Sequence, residues 1–389
     1  MKPNLQNRFA QGRQAAITLC DLGGGTRLAL HEARETQSPQ SRATRFILPI
    51  GSDEIEKNKT KDNKPPMQRR TFIKITAAAA AISAIFRPSA GLAEDKKYKF
   101  GFSQVTIVEP WRVQFNKDMK KEAEKHSNLE LIITDGQDKT EKQVADIENL
   151  IRQGVDVLII SPKESAGLTG VTLKAIEAGI PTIILDRNVD TDKYTQFIGG
   201  DNVAIGRAAG EYTVKLLGGP GNAKGNIIEL WGGMGTQPAH DRSKGFHEFI
   251  DKEPGIKSLL QPIDTDWKQA KGYDVMSTAL KSFDKIDVVY GHNDPVAYGA
   301  YLAAKDAGRE KEIKFLGIDA LPNEGVTWVN KGQLTATFLY PTPGAEGVRQ
   351  GLKIVNGDKV EKKIILPTMT IDKSNAAQIL KEQGLPVQP

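Results

Sequence analysis

Short β-branched runs recur through most of this chain, and helix-period stretches separate them. The runs occupy residues 99–103, 129–133, 155–160, 182–185, 226–230, 286–290, 313–317 and 335–338. Near-continuous apolar runs of this length suit strands covered on both faces. Between Thr140 and Gln153, Val144, Ile147, Leu150 and Ile151 share one helical stripe. Gly154 then stops that helix, and Gly179-Ile180-Pro181 does the same before the next run. Alternation of this kind builds βαβ units with right-handed crossovers. The number of runs suits two parallel sheets better than one twisted sheet of ten or more strands. The predicted fold class is α/β, as two doubly wound parallel-sheet lobes.

The alternation starts only after residue 93. Residues 1–66 lack sustained periodicity, are rich in Gln, Arg, Asn and Lys, and end in a polar run, residues 57–66. That composition predicts a disordered extension or a misassigned start, with translation beginning at Met67. Residues 67–93 read as an export signal. Residues 69–74 are a basic start, and Ile75 to Phe86 is a 12-residue run broken only by Thr76 and Ser83. Residues 89–93 form a small-residue end suited to cleavage near Ala93. Twelve residues are too few to cross a hydrocarbon core of about 30 Å at about 1.5 Å per residue. Arg69-Arg70, followed by Phe72 and Lys74, resembles the twin-arginine signal, which implies export after folding and a periplasmic destination.

Charge follows the same division. Residues 1–93 carry 15 basic and 7 acidic side chains, whereas residues 94–389 carry 38 and 41. The body is therefore mildly acidic, and no nucleic-acid partner is expected. The single cysteine, Cys20, lies in the leader, so disulfide scaffolds and thiolate metal or redox chemistry are excluded from the body. His240 and His247 are seven apart, with nothing nearby to complete a metal set. The Gly232-Gly233-Met234-Gly235 run lacks the later glycine of a dinucleotide fingerprint, and no Walker lysine occurs. No cofactor and no enzymatic activity are expected.

Ligands of doubly wound sheets sit at the carboxyl ends of the strands. Those ends carry an unusual mixture here. The first run leads through Gln104 to Trp111-Arg112; the third ends at Ser161 and the fourth at Asp186-Arg187. In the second half, Arg242 lies in the helix after Trp231, Trp267 follows Asp266, and Asn293, Asp319 and Tyr340 end three more runs. A sugar has apolar C–H faces, which aromatic planes cover, and a belt of hydroxyls, which Asp, Asn and Arg address. Hydrogen bonds to charged groups contribute about 1.5–3 kcal/mol each, and micromolar affinity requires about −8 kcal/mol. Each residue taken singly also has a structural reading. Asp186-Arg187 makes an ion pair, Trp267 packs, Asn293 turns the chain, and Asp319 caps a helix. Their conjunction at strand ends favours the ligand reading. Affinity for an uncharged guest would be nearly indifferent to salt.

The body also resembles the type I periplasmic sugar-binding proteins of ABC importers, the ribose- and galactofuranose-binding group. The resemblance runs from about Lys97 to the C-terminus. It rests on Gly101-Phe102-Ser103-Gln104 with Trp111-Arg112, Gly154-Val155-Asp156, Ile180-Pro181 with Asp186-Arg187, and Asp201-Asn202. Further marks are residues 241–246, His292-Asn293-Asp294 and Gly317-Ile318-Asp319. It implies two lobes joined by three crossovers, near 200–201, 340–341 and 370–371. Lobe one would then be 94–200 plus 341–370, and lobe two 201–340 plus 371–389. It implies that Gln104, Trp111, Arg112, Ser161, Asp186 and Arg187 face a sugar from the first lobe. Arg242, Trp267, Asn293, Asp319 and Tyr340 would face it from the second lobe and the hinge. Ser161 and Arg112 depart from the ribose binder's Asn and aromatic, so the sugar is expected not to be ribose. The implied partners are a monosaccharide or polyol and an ABC permease in the membrane, the chain itself being a monomer. The alternative is a sensor that presents its closed form to a chemoreceptor or kinase.

Overall fold

The computed structural model describes residues 96–387. The expected extension, export signal and cleavage point lie outside the described residues. Two six-stranded sheets organise the rest, both within the unit Ser83–Pro389. The first is built from β1 (Tyr98–Gln104), α1 (Pro110–Ala123), β2 (Leu129–Asp135), α2 (Thr140–Arg152), β3 (Val157–Ile160), α3 (Ser165–Glu177), β4 (Thr182–Leu185) and β5 (Gln196–Gly200). The chain then crosses and builds α4 (Asn202–Leu216), β6 (Lys224–Leu230), α5 (Gln237–Ile250), β7 (Gly255–Ser258), α6 (Gln269–Ser282), β8 (Val288–Gly291), α7 (Asp294–Asp306) and β9 (Lys314–Asp319). A π-helical turn (Pro322–Val326), α8 (Thr327–Asn330) and β10 (Ala336–Leu339) follow. A second crossing leads to α9 (Gly344–Val355) and β11 (Lys363–Leu366), and a third to β12 (Thr370–Asp372) and α10 (Ala376–Glu382).

The strand orders are β11-β5-β4-β3-β1-β2 and β12-β10-β9-β8-β6-β7. Every described pairing is parallel except β10 with β12. Every residue of β3 and β4 is buried, as strands sandwiched between helices require. Gly154 and Gly179 take left-handed φ of 62° and 77° where helices end. The order of each sheet reverses once, between β1 and β3 and between β6 and β8. Loops leaving those strands therefore diverge and open a crevice at the carboxyl edge. Both crevices face one another.

Four strands lie outside the eight predicted runs: β5, β7, β11 and β12. β7 and β12 are three or four residues long at the sheet edges, and β5 ends in Gly199-Gly200. Such segments contain too few apolar residues to show a period. Thr370 already pairs with Phe338 in the second sheet. The third crossing therefore lies at residues 367–369, and the expected division at 370–371 falls inside a strand. The lobes share apolar contact through the hinge. Phe100, Phe115 and Trp111 continue through Ile205 and Tyr340 into Phe246 and Tyr290.

Candidate functional site

A cavity of about 360 Å³ lies between the two carboxyl edges, within the range of roughly 300–1,000 Å³ typical of small-molecule sites. In the first lobe it is lined by the β1–α1 loop with the start of α1, Asp138 of the β2–α2 loop, and the residues after β4. In the second it is lined by α5, the segment before α6, and the residues after β8, β9 and β10.

The first-lobe wall is organised around Asp186. Arg112 Nη2 lies 2.7 Å from its Oδ2, Arg187 Nε lies 3.8 Å away, and the Tyr340 hydroxyl donates to Oδ1 at 2.7 Å. Burial alone would push this carboxyl up, but the two guanidiniums and the Tyr340 hydrogen bond outweigh it and hold it below the usual range. Burial, then repulsion from Arg112, lowers Arg187 to about 10. Glu109 caps α1, its carboxylate accepting from the amides of Trp111 and Arg112 at 3.1 Å each. Trp111 is 4 % exposed, stacks on Tyr340 at 5.3 Å, and donates from Nε1 to the Tyr340 carbonyl.

Arg242 dominates the second-lobe wall. It reaches the cleft because α4 and α5 touch backbone to backbone. A Cβ on Gly206 would lie 2.1 Å from the Arg242 carbonyl, and one on Gly245 2.1 Å from that of Val203. Its Nε donates to Asn202 Oδ1 at 2.9 Å, and Nη1 donates to the His292 carbonyl. The guanidinium lies over Trp267 at 5.2 Å and over Tyr340 at 4.7 Å. Trp267 lies flat on the glycine run after β6, where a Cβ on Gly232 would meet its ring at 2.4 Å. Asn293 caps α7 through Oδ1 and donates from Nδ2 to the Trp267 carbonyl. The Asp319 carboxylate caps no helix among the described residues; it lines the cavity, and burial raises its pKa well above the ordinary value.

Ion pairs cross between lobes at the mouth. Lys268 Nζ lies 3.0 Å from Asp138 and 2.6 Å from Asp266, and Lys163 Nζ bonds Asp138 and lies 4.0 Å from Asp266. Among the described residues, seven non-glycine residues have positive φ, and five of them line the cavity: Asp138, Asp186, Asp266, Trp267 and Asp319. Each such conformation costs about 1–3 kcal/mol, and strain of this kind gathers at ligand clamps and active sites.

Residues 100–359 match the family profile of the periplasmic binding protein domain. This chain belongs to the periplasmic binding proteins. Among curated periplasmic binding proteins, it is 35 % identical over 250 residues to the galactofuranose-binding protein YtfQ of Escherichia coli, covering 62 % of this chain and 77 % of that one. It is 30 % identical over 275 residues to the ribose import binding protein RbsB of Bacillus subtilis, covering 70 % and 86 %. Among solved structures, it is similar to the fructose binding periplasmic domain of the hybrid two component system BT1754, with TM-score 0.70, 38 % identity, and 74 % and 94 % covered.

Nine of the eleven candidates read from the sequence line this periplasmic binding protein's cavity: Trp111, Arg112, Asp186, Arg187, Arg242, Trp267, Asn293, Asp319 and Tyr340. Gln104 and Ser161 do not. Both are wholly buried behind Arg112, whose Nη1 donates to Ser161 Oγ at 2.7 Å and Gln104 Oε1 at 3.3 Å. They orient the guanidinium and stay out of the cleft. The sequence reasoning missed Glu109, Glu324 and the charged residues of the mouth. Glu109 precedes Pro110 at a helix start, a capping signal open to view. Glu324 follows Asp319 by five residues on a π-helical turn that no sequence period announces.

Proposed function

We propose that this periplasmic binding protein captures a monosaccharide or polyol between its lobes and delivers it to the membrane permease of an ABC importer. The convergence of nine expected residues on one inter-lobe cavity carries the reading. Aromatic planes and charged forks there match the two kinds of surface on a sugar. Contacts from both lobes make the closed state the better binder, so ligand shifts the population toward closure. The proposal includes no catalytic step and no cofactor. It also includes export through the signal at residues 67–93, cleavage near Ala93, and a monomeric mature chain. A melting screen of the chain from Glu94 onward, against pentoses, hexoses, furanoses and polyols, tests it. At a hundredfold excess over Kd, binding adds about 2.7 kcal/mol, a rise of roughly 5–10 °C. No rise with any of them refutes the reading. Mass spectrometry of the exported chain tests the cleavage, and residues before Glu94 on it would refute that part.

A sensory role is the second reading, favoured by the likeness to a periplasmic domain of a two component system. Deleting the permease separates the two. Uptake lost with signalling kept assigns the sensor.

A further inference from the structure

The polar groups of the cavity divide into those the protein already satisfies and those it leaves open. All three guanidiniums are engaged. Arg112 pairs with Asp186, Arg187 donates to the Lys163 carbonyl and shares Asp186, and Arg242 donates to Asn202 and His292. Two carboxylates are different. Asp319 is 7 % exposed and Glu324 is half-buried; both line the cavity, and neither accepts a hydrogen bond among the described residues. Glu109 stands beside them with lone pairs left over from its capping bonds. Around the whole cavity six carboxylates face four cations.

We propose that Glu324, together with Glu109 and Asp319, forms a carboxylate wall that ligand donors hold in its ionised, accepting form, so that it selects a ligand edge made of hydrogen-bond donors. The inference rests on the sugar-binding reading and narrows it. The edge is either a run of free hydroxyls or a primary ammonium, and sugar acids and sugar phosphates are refused. Once ionised, each carboxylate accepts and cannot donate, and an O–H or N–H from the ligand favours that form against the burial that raises Asp319 and Glu324. An anionic group here would meet the charge of Glu109 and would require Asp319 and Glu324 to stay protonated, which costs more as pH rises above about 7. The wall already feels such repulsion. Burial, then the Glu109 charge, pushes Glu324 up to about 7. Donors on the ligand relieve that by bonding the charged form.

Calorimetric titration of the mature chain tests this, with D-ribose, D-fructose, D-galactose and myo-inositol as neutral probes and D-galactosamine and D-galacturonate as charged ones. We expect binding by at least one neutral or amine probe, and galacturonate at least tenfold weaker than galactose or galactosamine. Galactosamine stronger than galactose assigns the ammonium, and the reverse assigns the hydroxyl run. Glu324→Gln keeps the shape, removes the charge and should weaken the bound probe roughly tenfold to a hundredfold. Ligand-free melting checks folding, and Glu324→Ala replaces the amide if that variant does not fold. Galacturonate bound as tightly as galactose overturns the acceptor wall and leaves the sugar reading intact. So does a Glu324 variant that binds like the parent. No binding by any probe removes the sugar reading and this inference with it.

Discussion

Lys268→Ala should weaken ligand binding by loosening the closure of the lobes. The ammonium joins the lobes, with Asp138 3.0 Å away in the first and Asp266 2.6 Å away in the second. The Lys268 side chain is 53 % exposed and that of Asp138 34 %, so solvent screens the pair. Exposed pairs contribute about 0.2–1 kcal/mol, and losing one cross-lobe pair destabilises closure by about that amount. Affinity then falls roughly 1.5- to 5-fold. The same loss should appear in the parent when salt is raised, because the Debye length shrinks from about 10 Å at 0.1 M to about 3 Å at 1 M. The variant should lose less, since it keeps only the longer cross-lobe pair of Lys163 with Asp266 at 4.0 Å. Titration calorimetry of both proteins at the two salt concentrations reads this directly, and small-angle scattering follows the closed fraction. Exchanging the charges, Asp138→Lys with Lys268→Asp, should recover part of the affinity that either change removes alone. Equal affinities for parent and Lys268→Ala at low salt would refute the latch.

Other outcomes follow from the same geometry. Asp186→Asn should abolish the ligand-induced rise in Tm and also lower the ligand-free Tm. It strands buried Arg112 and Arg187, and breaking a buried pair costs about 3–5 kcal/mol. Arg242→Ala should abolish the rise as well, and parent-like binding by both variants would remove the site assignment. Because Asp186 is held below an ordinary carboxyl, its stabilisation is present above pH ~4 and disappears as pH falls through its lowered folded value; acid melting curves should flatten in Asp186→Asn. Glu324 has the opposite sign. Its pKa of about 7 means stability is lost as pH rises from about 4 through 7, so ligand-free Glu324→Gln should melt above the parent at pH 8, by about 2–4 °C per kcal/mol relieved, and converge with it near pH 4. Gly232→Ala should push Trp267 off its seat and reduce affinity while the fold persists, as circular dichroism and titration together would show.

The parallel architecture was legible because β3, β4, β8 and β9 are short buried runs that leave no choice of period. The position rule for carboxyl edges then led to most of the lining residues. Gln104 and Ser161 mark where that rule runs out. A polar residue at a strand end can support a neighbour, and only side-chain geometry tells Ser161 Oγ under Arg112 from a hydroxyl in the cleft. The mouth pairs were invisible for another reason. Asp138 and Lys268 are 130 residues apart and meet only when two separate lobes approach. Reasoning from an uncharged guest leads to affinity indifferent to salt, whereas the ion pairs that join the lobes lead to the salt dependence predicted above.

The sheet orders set a timetable for synthesis. β11 seals the outer edge of the first sheet against β5, yet it leaves the ribosome after all the parallel strands of the second sheet. The lobe begun first waits for a strand made after β10, and β12 and α10 then finish the second lobe. A nascent chain stopped at residue 340 would have every predicted cleft residue and no α9 or β11 to brace the half that holds Asp186. A machine that threads this protein unfolded and one that admits it folded would thus be handling two different objects until residue 366 has emerged.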